Sequence, residues 1–259
     1  MNNLNAILTI AYRDFLKFVR DRARLVSTFI FPVLFIGILG GSMQSSFGAQ
    51  SGFDLLTFVF TGVLAQTLFS STAQGIISLI EDRENDFSQE IFVAPVSRYA
   101  IILGKILGES LVAFPQGAGI ILFGWLVGVP ISMPRILAMA PIAIVICFFG
   151  GAFGLIVLAN LSSQRAANQV FPFLMLPQYF LAGIFTPVTT LPAYLKVIAL
   201  VTPMRYAVDL LRNAFYAGSG QYDRVVAEDA VVNMAVLGAA FAVFLLFGTV
   251  LFVRRERNR

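Results

Sequence analysis

Histidine is absent from this chain, and its 259 residues include one cysteine, Cys147. The first absence removes the commonest metal ligand and the usual general base near neutral pH. The second excludes a disulfide framework. Charge is scarce as well: Asp, Glu, Lys and Arg make up 12% of the residues, where a soluble domain carries about 25%. No G-x-x-x-x-G-K-[ST] loop occurs, so nothing in the chain cradles nucleotide phosphates. Apolar residues dominate instead, at 58% with 26 Phe and a mean hydropathy of +0.83. That composition describes a membrane protein, part of whose apolar surface is buried in lipid. The net charge of +4 then bears on topology, not on nucleic acid.

A spanning helix needs about 20 mostly apolar residues. Six charge-free stretches reach that length: Leu25–Met43, Leu55–Ile80, Ser110–Pro134, Ile136–Gln164, Ala166–Leu195 and Ala230–Val253. The fifth is too long for one span and holds Pro172, Pro177, Pro187 and Pro192. The expected fold is an all-α polytopic membrane protein in one transmembrane domain, with spans at 25–43, 55–80, 110–129, 136–160, 168–186 and 231–253. Spans three and four are joined by a tight turn, VPISMPR at Val129–Arg135, with two prolines. Placing both termini in the cytoplasm leaves 13 Lys and Arg inside and five outside, namely Arg135, Lys196, Arg205, Arg212 and Arg224. The positive-inside rule favours that orientation.

Residues 1–24 carry Leu4, Ile7, Leu8, Ala11, Phe15, Phe18 and Val19 at helical spacing, with most of the charges on the other face. They read as an amphipathic helix lying in the membrane interface beside lipid headgroups. A signal peptide is not expected, because no basic n-region precedes the apolar positions. The outer segment, 187–229, is apolar but interrupted by Pro192, Lys196, Pro203, Arg205, Asp209 and Arg212. Short helices or a re-entrant hairpin fit it better than a span, and a plain surface loop stays open. Thr202 stands where it can cap a helix that begins at Pro203. Asp209 and Arg212 are three apart, close enough to pair on one helix face.

The densest charge lies mid-chain, where Glu81, Asp82, Arg83, Glu84, Asp86 and Glu90 fall within ten residues. A solvated loop, a lipid-head contact and a docking element compete for this stretch. The acidic excess disfavours anionic lipid. Phe87 and Ile91, with Glu90, share a helix face, which gives a short helix a reason to meet a groove on another protein. Pro95 biases Ala94 away from helix and ends it.

This charged stretch, continuing into FVAPVSRYAIILGK, resembles the first cytoplasmic loop of permease subunits of type-2 ATP-binding-cassette (ABC) exporters of the multidrug and antibiotic-efflux kind. The basic amphipathic N-terminal helix, six spans in about 260 residues, and the outer pattern Leu191-Pro192, Pro203, Tyr206, Asp209 and Arg212 add to the likeness. Thr202 departs from it, since many members carry Asn before that proline. The resemblance implies a cytoplasmic coupling helix within 81–98, contacting a separate ATPase through Glu81, Arg83, Glu84, Phe87, Glu90, Ile91 and Arg98. It implies a working unit of two permeases, identical or different, and two ATPase subunits, in the inner or plasma membrane of a bacterial cell. ATP and Mg belong to that partner; the chain itself needs no cofactor, metal or catalytic residue.

In the second span Thr67, Ser71, Gln74 and Ser78 step by four, three and four, with Gln66 and Ser70 beside them. Such a stripe either packs against neighbouring helices or lines a wet cavity. The resemblance puts the second and fifth spans around a central cavity, which adds Phe173, Gln178 and Phe180 to the expected substrate path. Pro203, Tyr206, Asp209 and Arg212 form the expected outer gate. Uncharged amides and aromatics suit a large amphipathic guest. Glu109, at the expected start of span three, is a functional candidate as an intramembrane acid; pairing with Lys105 and snorkelling to the surface are the structural alternatives. The function expected is export of amphipathic drugs, antibiotics or lipid-like compounds. Export of lipid-linked polysaccharide is the alternative in the same class, and an ion-coupled secondary transporter or a membrane scaffold lies outside it.

Overall fold

The structure, a computed structural model, describes residues 3–84, 97–158, 161 and 163–257. Helix α1 (Asn3–Arg20) ends at Asp21, whose carboxylate accepts from the Arg24 amide at 2.9 Å and starts α2 (Arg22–Val33). Pro32 lies in α2, and wider π-type turns follow over Leu34–Gly40 before α3 (Gly41–Ser51). Together these make one rod that ends at Gly52, whose left-handed φ of 73° suits glycine. Asp54 caps α4 (Leu55–Gly75) by accepting from the Thr57 amide at 2.6 Å. A break at Ile76 separates α4 from α5 (Ile77–Glu84). Ser97 caps α6 (Arg98–Leu126), and Ser163 caps α8 (Gln164–Leu181), each hydroxyl accepting from an amide at 3.1 Å. Between them runs α7 (Met133–Leu158). Then come α9 (Ala193–Leu200), α10 (Pro203–Tyr216), the single turn α11 (Tyr222–Val225) and α12 (Ala230–Arg257).

Among the described residues, five helical rods are long and apolar enough to cross a membrane: Arg22–Ser51, Leu55–Asp82, Tyr99–Leu126, Met133–Val157 and Ala230–Phe252. The expected span at 168–186 corresponds to α8, which starts earlier and stops at Leu181. Its 18 residues reach about 27 Å at 1.5 Å per residue. Two prolines interrupt it, and its first turns hold Gln164, Arg165, Asn168 and Gln169. Beyond it the chain turns at Gly183, with φ 78°. The third span also differs from expectation, because α6 runs unbroken from Arg98 with Lys105 and Glu109 inside it. Protein partners, not water, meet those two charges.

Helix α4 is the axis, buried along nearly its whole length. On one side α7 comes so close that a Cβ on Gly150 or Gly154 would strike the carbonyl oxygen of Phe69 or Ala73. Phe69, Phe149, Phe153 and Phe244 stack across that contact, with ring centroids 5.3–5.8 Å apart. On another side α6 packs Gly117 against Leu68 and Gly124 against Phe60. Helix α12 covers α7, where Gly248 meets Leu155 and Ile156. Residues 150–156 of α7 lie near the end of α4 that leads into α5, so the end of α12 and α1 share one end of the bundle.

Helix α1 lies along α6, with Gly104 against Ile7 and Gly108 against Ala11. Ala6, Ala11, Asp14 and Phe18 form its buried face, while Leu4, Leu8, Tyr12 and Val19 stay exposed. An apolar outward stripe on such a helix is the lipid-facing side of an interfacial element. At the opposite end, α10 is buried from Met204 to Tyr216 except at Tyr206 and Ala214, which are half-buried. Within the segment between α8 and α12, α10 is therefore a core element, while α9 keeps Tyr194, Val197, Ile198 and Leu200 exposed.

The close approach of α7 to α4 gives a testable difference between two glycines. Gly154→Leu should destabilise the protein by about 1–3 kcal/mol through overpacking. Gly238→Leu, where a Cβ meets nothing within 4 Å, should leave the unfolding midpoint in detergent unchanged.

Candidate functional site

Where α2 and α8 diverge from α4 they leave a cavity of about 500 Å³. Helix α4 supplies Gln66, Thr67, Ser70, Ser71 and Gln74, so five expected path residues line one wall. Their steps of one and three residues put them on one face of α4, which neither α6 nor α7 covers. The facing wall holds Arg24, Ser27, Thr28, Phe31 and Pro32 of α2, with Asn168 and Tyr179 of α8. Ser78 and Glu81 of α5 and Gln116 of α6 complete it. Contacts within the polar wall are long: Gln66 Nε2 donates to Ser70 Oγ at 3.4 Å, and Thr67 Oγ1 to Gln66 Oε1 at 3.5 Å. These amides keep hydrogen-bonding capacity for a guest.

The other three expected path residues do not line the cavity. Phe173 and Phe180 point away from it, 79% and 60% exposed. Gln178 is buried, and its amide donates to the Leu174 carbonyl at 3.3 Å. The helical period decides this: with Asn168 and Tyr179 turned inward, positions 173 and 180 of α8 fall on its outer side. Gln116 and Arg24 were missed as cavity residues. The amide beside Pro115 in an apolar run was a signal for the first; nothing in the sequence pointed Arg24 inward.

Beneath the cavity, four helices meet through charge. Asp82 of α5 accepts from Arg13 Nη2 of α1 at 2.5 Å and pairs with Lys105 Nζ of α6 at 2.6 Å. Lys105, 1% exposed, also reaches Asp14 at 3.0 Å and donates to Ser78 Oγ at 3.0 Å. Arg13 pairs with Asp14 at 3.0 Å, and Lys17 reaches Asp82 at 3.5 Å. Burial pulls the Arg13 guanidinium down, but Asp14 and Asp82 outweigh it and hold it above its ordinary range. The expected Lys105–Glu109 pair does not form, because Lys105 turns to Asp82 and Asp14. Glu109 meets Arg24 of α2 instead, at 3.5 Å. Asp82 was not among the expected site residues; it stood out only as one acid among several.

Of the expected coupling set, Glu81 is exposed at the cavity rim. Arg83 and Glu84 end α5, and Arg98 opens α6. Phe87, Glu90 and Ile91 lie outside the described residues.

The outer set gathers around α10. Pro203 is its first residue, and the Thr202 hydroxyl, expected as a cap, donates back to the Ile198 carbonyl at 3.0 Å. The Tyr206 hydroxyl donates to the Leu200 carbonyl at 2.8 Å. Asp209 and Arg212 do not pair with each other. Asp209 accepts from the amides of Ala227 and Glu228 and from Asn233 Nδ2 at 2.8–2.9 Å, which fixes the start of α12. Arg212 donates to the Phe58 and Ile184 carbonyls at 3.1 and 3.4 Å and stacks on the Phe58 ring at 3.6 Å. Burial pulls Arg212 down to about 10, with Tyr216 and Asp209 opposing, so it stays charged at neutral pH.

A bundle of membrane-crossing helices around a polar cavity, with short buried helices at one end, is the architecture of a multi-pass permease. Residues 5–216 match the ABC-2 type transporter family, and the chain belongs to it. The transport permease ycf38 of Cyanophora paradoxa is 23% identical over 254 residues, covering 96% of this chain and 87% of its own length. The polysialic acid transport protein KpsM of Escherichia coli is 22% identical over 224 residues, covering 86% and 81%. The multidrug ABC transporter permease YbhR of Escherichia coli (strain K12) is 26% identical over 141 residues, covering 54% and 38%. The chain is a transporter subunit of that family and not itself an enzyme.

The charge lattice sets a stability prediction. Lys105→Met leaves Asp82 and Asp14 short of a buried partner and should cost about 3–5 kcal/mol in denaturant unfolding. Lys17→Ala removes a half-exposed contact and should cost less than about 1 kcal/mol.

Proposed function

We propose that this chain is the permease of an ATP-driven exporter that moves amphipathic drugs, antibiotics or lipid-like compounds out of the cell by alternating access. One observation carries the reading. The cavity sets amides and hydroxyls of α4 against Phe31, Pro32 and Tyr179, so a guest with a polar and an apolar side is met on both. Its volume lies within the range of about 300–1,000 Å³ usual for small-molecule sites. ATP and Mg are bound by a separate ATPase, as family membership supports. Two such ATPase subunits and a second permease, identical or different, complete the unit. The α1 end, where both termini gather, faces the cytoplasm, as the Lys and Arg distribution supports.

Force enters through 81–98. Glu81 lies on the cavity rim and Asp82, next to it, is held by α1 and α6, so a push on the loop reaches the cavity wall through α5. At the other end Arg212 ties α10 to α4, and Asp209 ties it to α12. A shift of α10, which begins at Pro203 and carries Tyr206, would move both contacts, and this is the proposed outer gate. Export of lipid-linked polysaccharide is the second reading, favoured by the hydroxyl- and amide-rich α4 wall and by the likeness to a polysialic acid transport protein. An ion-coupled secondary transporter fits less well, because Asp14, Asp82 and Glu109 already face Arg or Lys.

Two measurements test the proposal. Phe87→Asp with Ile91→Asp should abolish co-purification of an ABC ATPase, and undiminished capture would leave 81–98 a solvated loop. In the reconstituted complex Gln74→Ala should change ATP turnover stimulated by transported compounds several-fold. An unchanged response across a panel of amphiphiles would reduce the α4 stripe to packing.

A further inference from the structure

Glu109 stands apart from the other buried acids of the bundle. Asp82 is saturated by Arg13, Lys105 and Lys17, and Asp14, whose Oδ2 also accepts no hydrogen bond among the described residues, has Arg13 and Lys105 each at 3.0 Å. Glu109 is 2% exposed, yet its Oε2 accepts no hydrogen bond among the described residues, and its Oε1 has one contact of 3.4 Å from Ser78 Oγ. Its counter-charge is Arg24 Nη2 at 3.5 Å, on a side chain 41% exposed. Lys105, one turn away, is committed to Asp82, Asp14 and Ser78. The Glu109 carboxylate fills the space where a Cβ of Gly75 would stand. Arg24, Gly75 and Ser78, its contacts, all line the cavity, so the acid lies one side chain behind the wall.

We propose that Glu109 is the recognition site for the positive centre of a cationic amphiphile, which takes the place of Arg24 on this carboxylate. The inference rests on the export-cavity reading above and names its guest class. The sign of the guest follows from the unequal burial of the pair. A cation that displaces Arg24 releases a guanidinium that already reaches water and has the Phe18 ring at 5.5 Å to rest on. An anion that drew Arg24 away would leave a buried carboxylate uncompensated, which is strongly unfavourable. A protonated amine also brings the N–H donors that Oε2 lacks. The amides of α4 and the rings of Phe31 and Tyr179 then hold the remainder of the guest.

Three fluorescent probes on one dansyl-alkyl scaffold separate the possibilities: dansylcadaverine with its terminal ammonium, its neutral N-acetyl derivative, and the matching carboxylate. They are titrated against the full chain in detergent. The ammonium should bind about tenfold or more tighter than the acetamide, and the carboxylate weakest. Glu109→Gln should bring ammonium and acetamide to near-equal affinity. Arg24→Ala should tighten ammonium binding several-fold, a gain that a merely structural ion pair would not yield and that does not depend on the Gln variant folding. Unchanged or weaker ammonium binding in Arg24→Ala overturns the inference, as does a preference for the carboxylate. If the acetamide binds in a Gln74-dependent way and the ammonium has no advantage, the cation inference fails and the export cavity stands. If no probe binds in a Gln74-dependent way, both fall.

Discussion

The bundle depends on α4 being enclosed. In lipid, apolar side chains gain little by leaving their surroundings, so helices associate through close packing and polar contacts. Gly150 and Gly154 bring the α7 backbone onto α4, and the Phe69 cluster locks above them. Glycines of α6 do the same on another side. With those faces closed, the polar residues of α4 at 66, 67, 70, 71 and 74 have one direction left to face. The cavity is what remains when two neighbours fit closely and two others, α2 and α8, diverge.

The charge lattice solves a different problem at the same place. A chain with 12% charged residues sinks Asp14, Asp82, Lys105 and Glu109 into one end of the bundle. Each would be prohibitive alone. Together, Arg13 and Lys105 neutralise the two Asp, and α1, α5 and α6 become one unit at the base of the cavity. Removing one partner costs far more than the pair contributes, because a lone charge is left behind. Glu109 is the exception, matched by a single, partly exposed Arg24, and that asymmetry separates a binding acid from a structural one.

Much of this was legible in the sequence. The long apolar runs announced the helices, and the polar stripe of the second span with its two neighbours named the α4 side chains that line the cavity. Pro203 marked the first turn of α10. Other features were not legible. The spacing of Asp209 and Arg212 is the spacing of a pair, yet one turns to α12 and the other to α4. Lys105 and Glu109 share a helix face and still choose partners on other helices. Sequence spacing states which contacts one helix permits; long-range neighbours decide which are made. Phe173 and Phe180 show the same limit, since aromatic character does not say which way a helix is turned.

By itself, then, the sequence determined the solvent. Charge-free apolar runs of about 20 residues require helices in lipid, because the other structure that satisfies its backbone there, a closed barrel, is built from short strands that alternate apolar and polar residues. It also determined the breaks, through proline, glycine and capping Asp and Ser, which act locally. Only the tertiary structure decided that α8 turns two phenylalanines outward, that α10 is core, and which carboxylate has an incomplete shell. Those outcomes depend on the rotation and separation of whole helices, quantities set by packing between residues far apart in the sequence, such as Arg24 with Glu109 and Arg212 with Phe58.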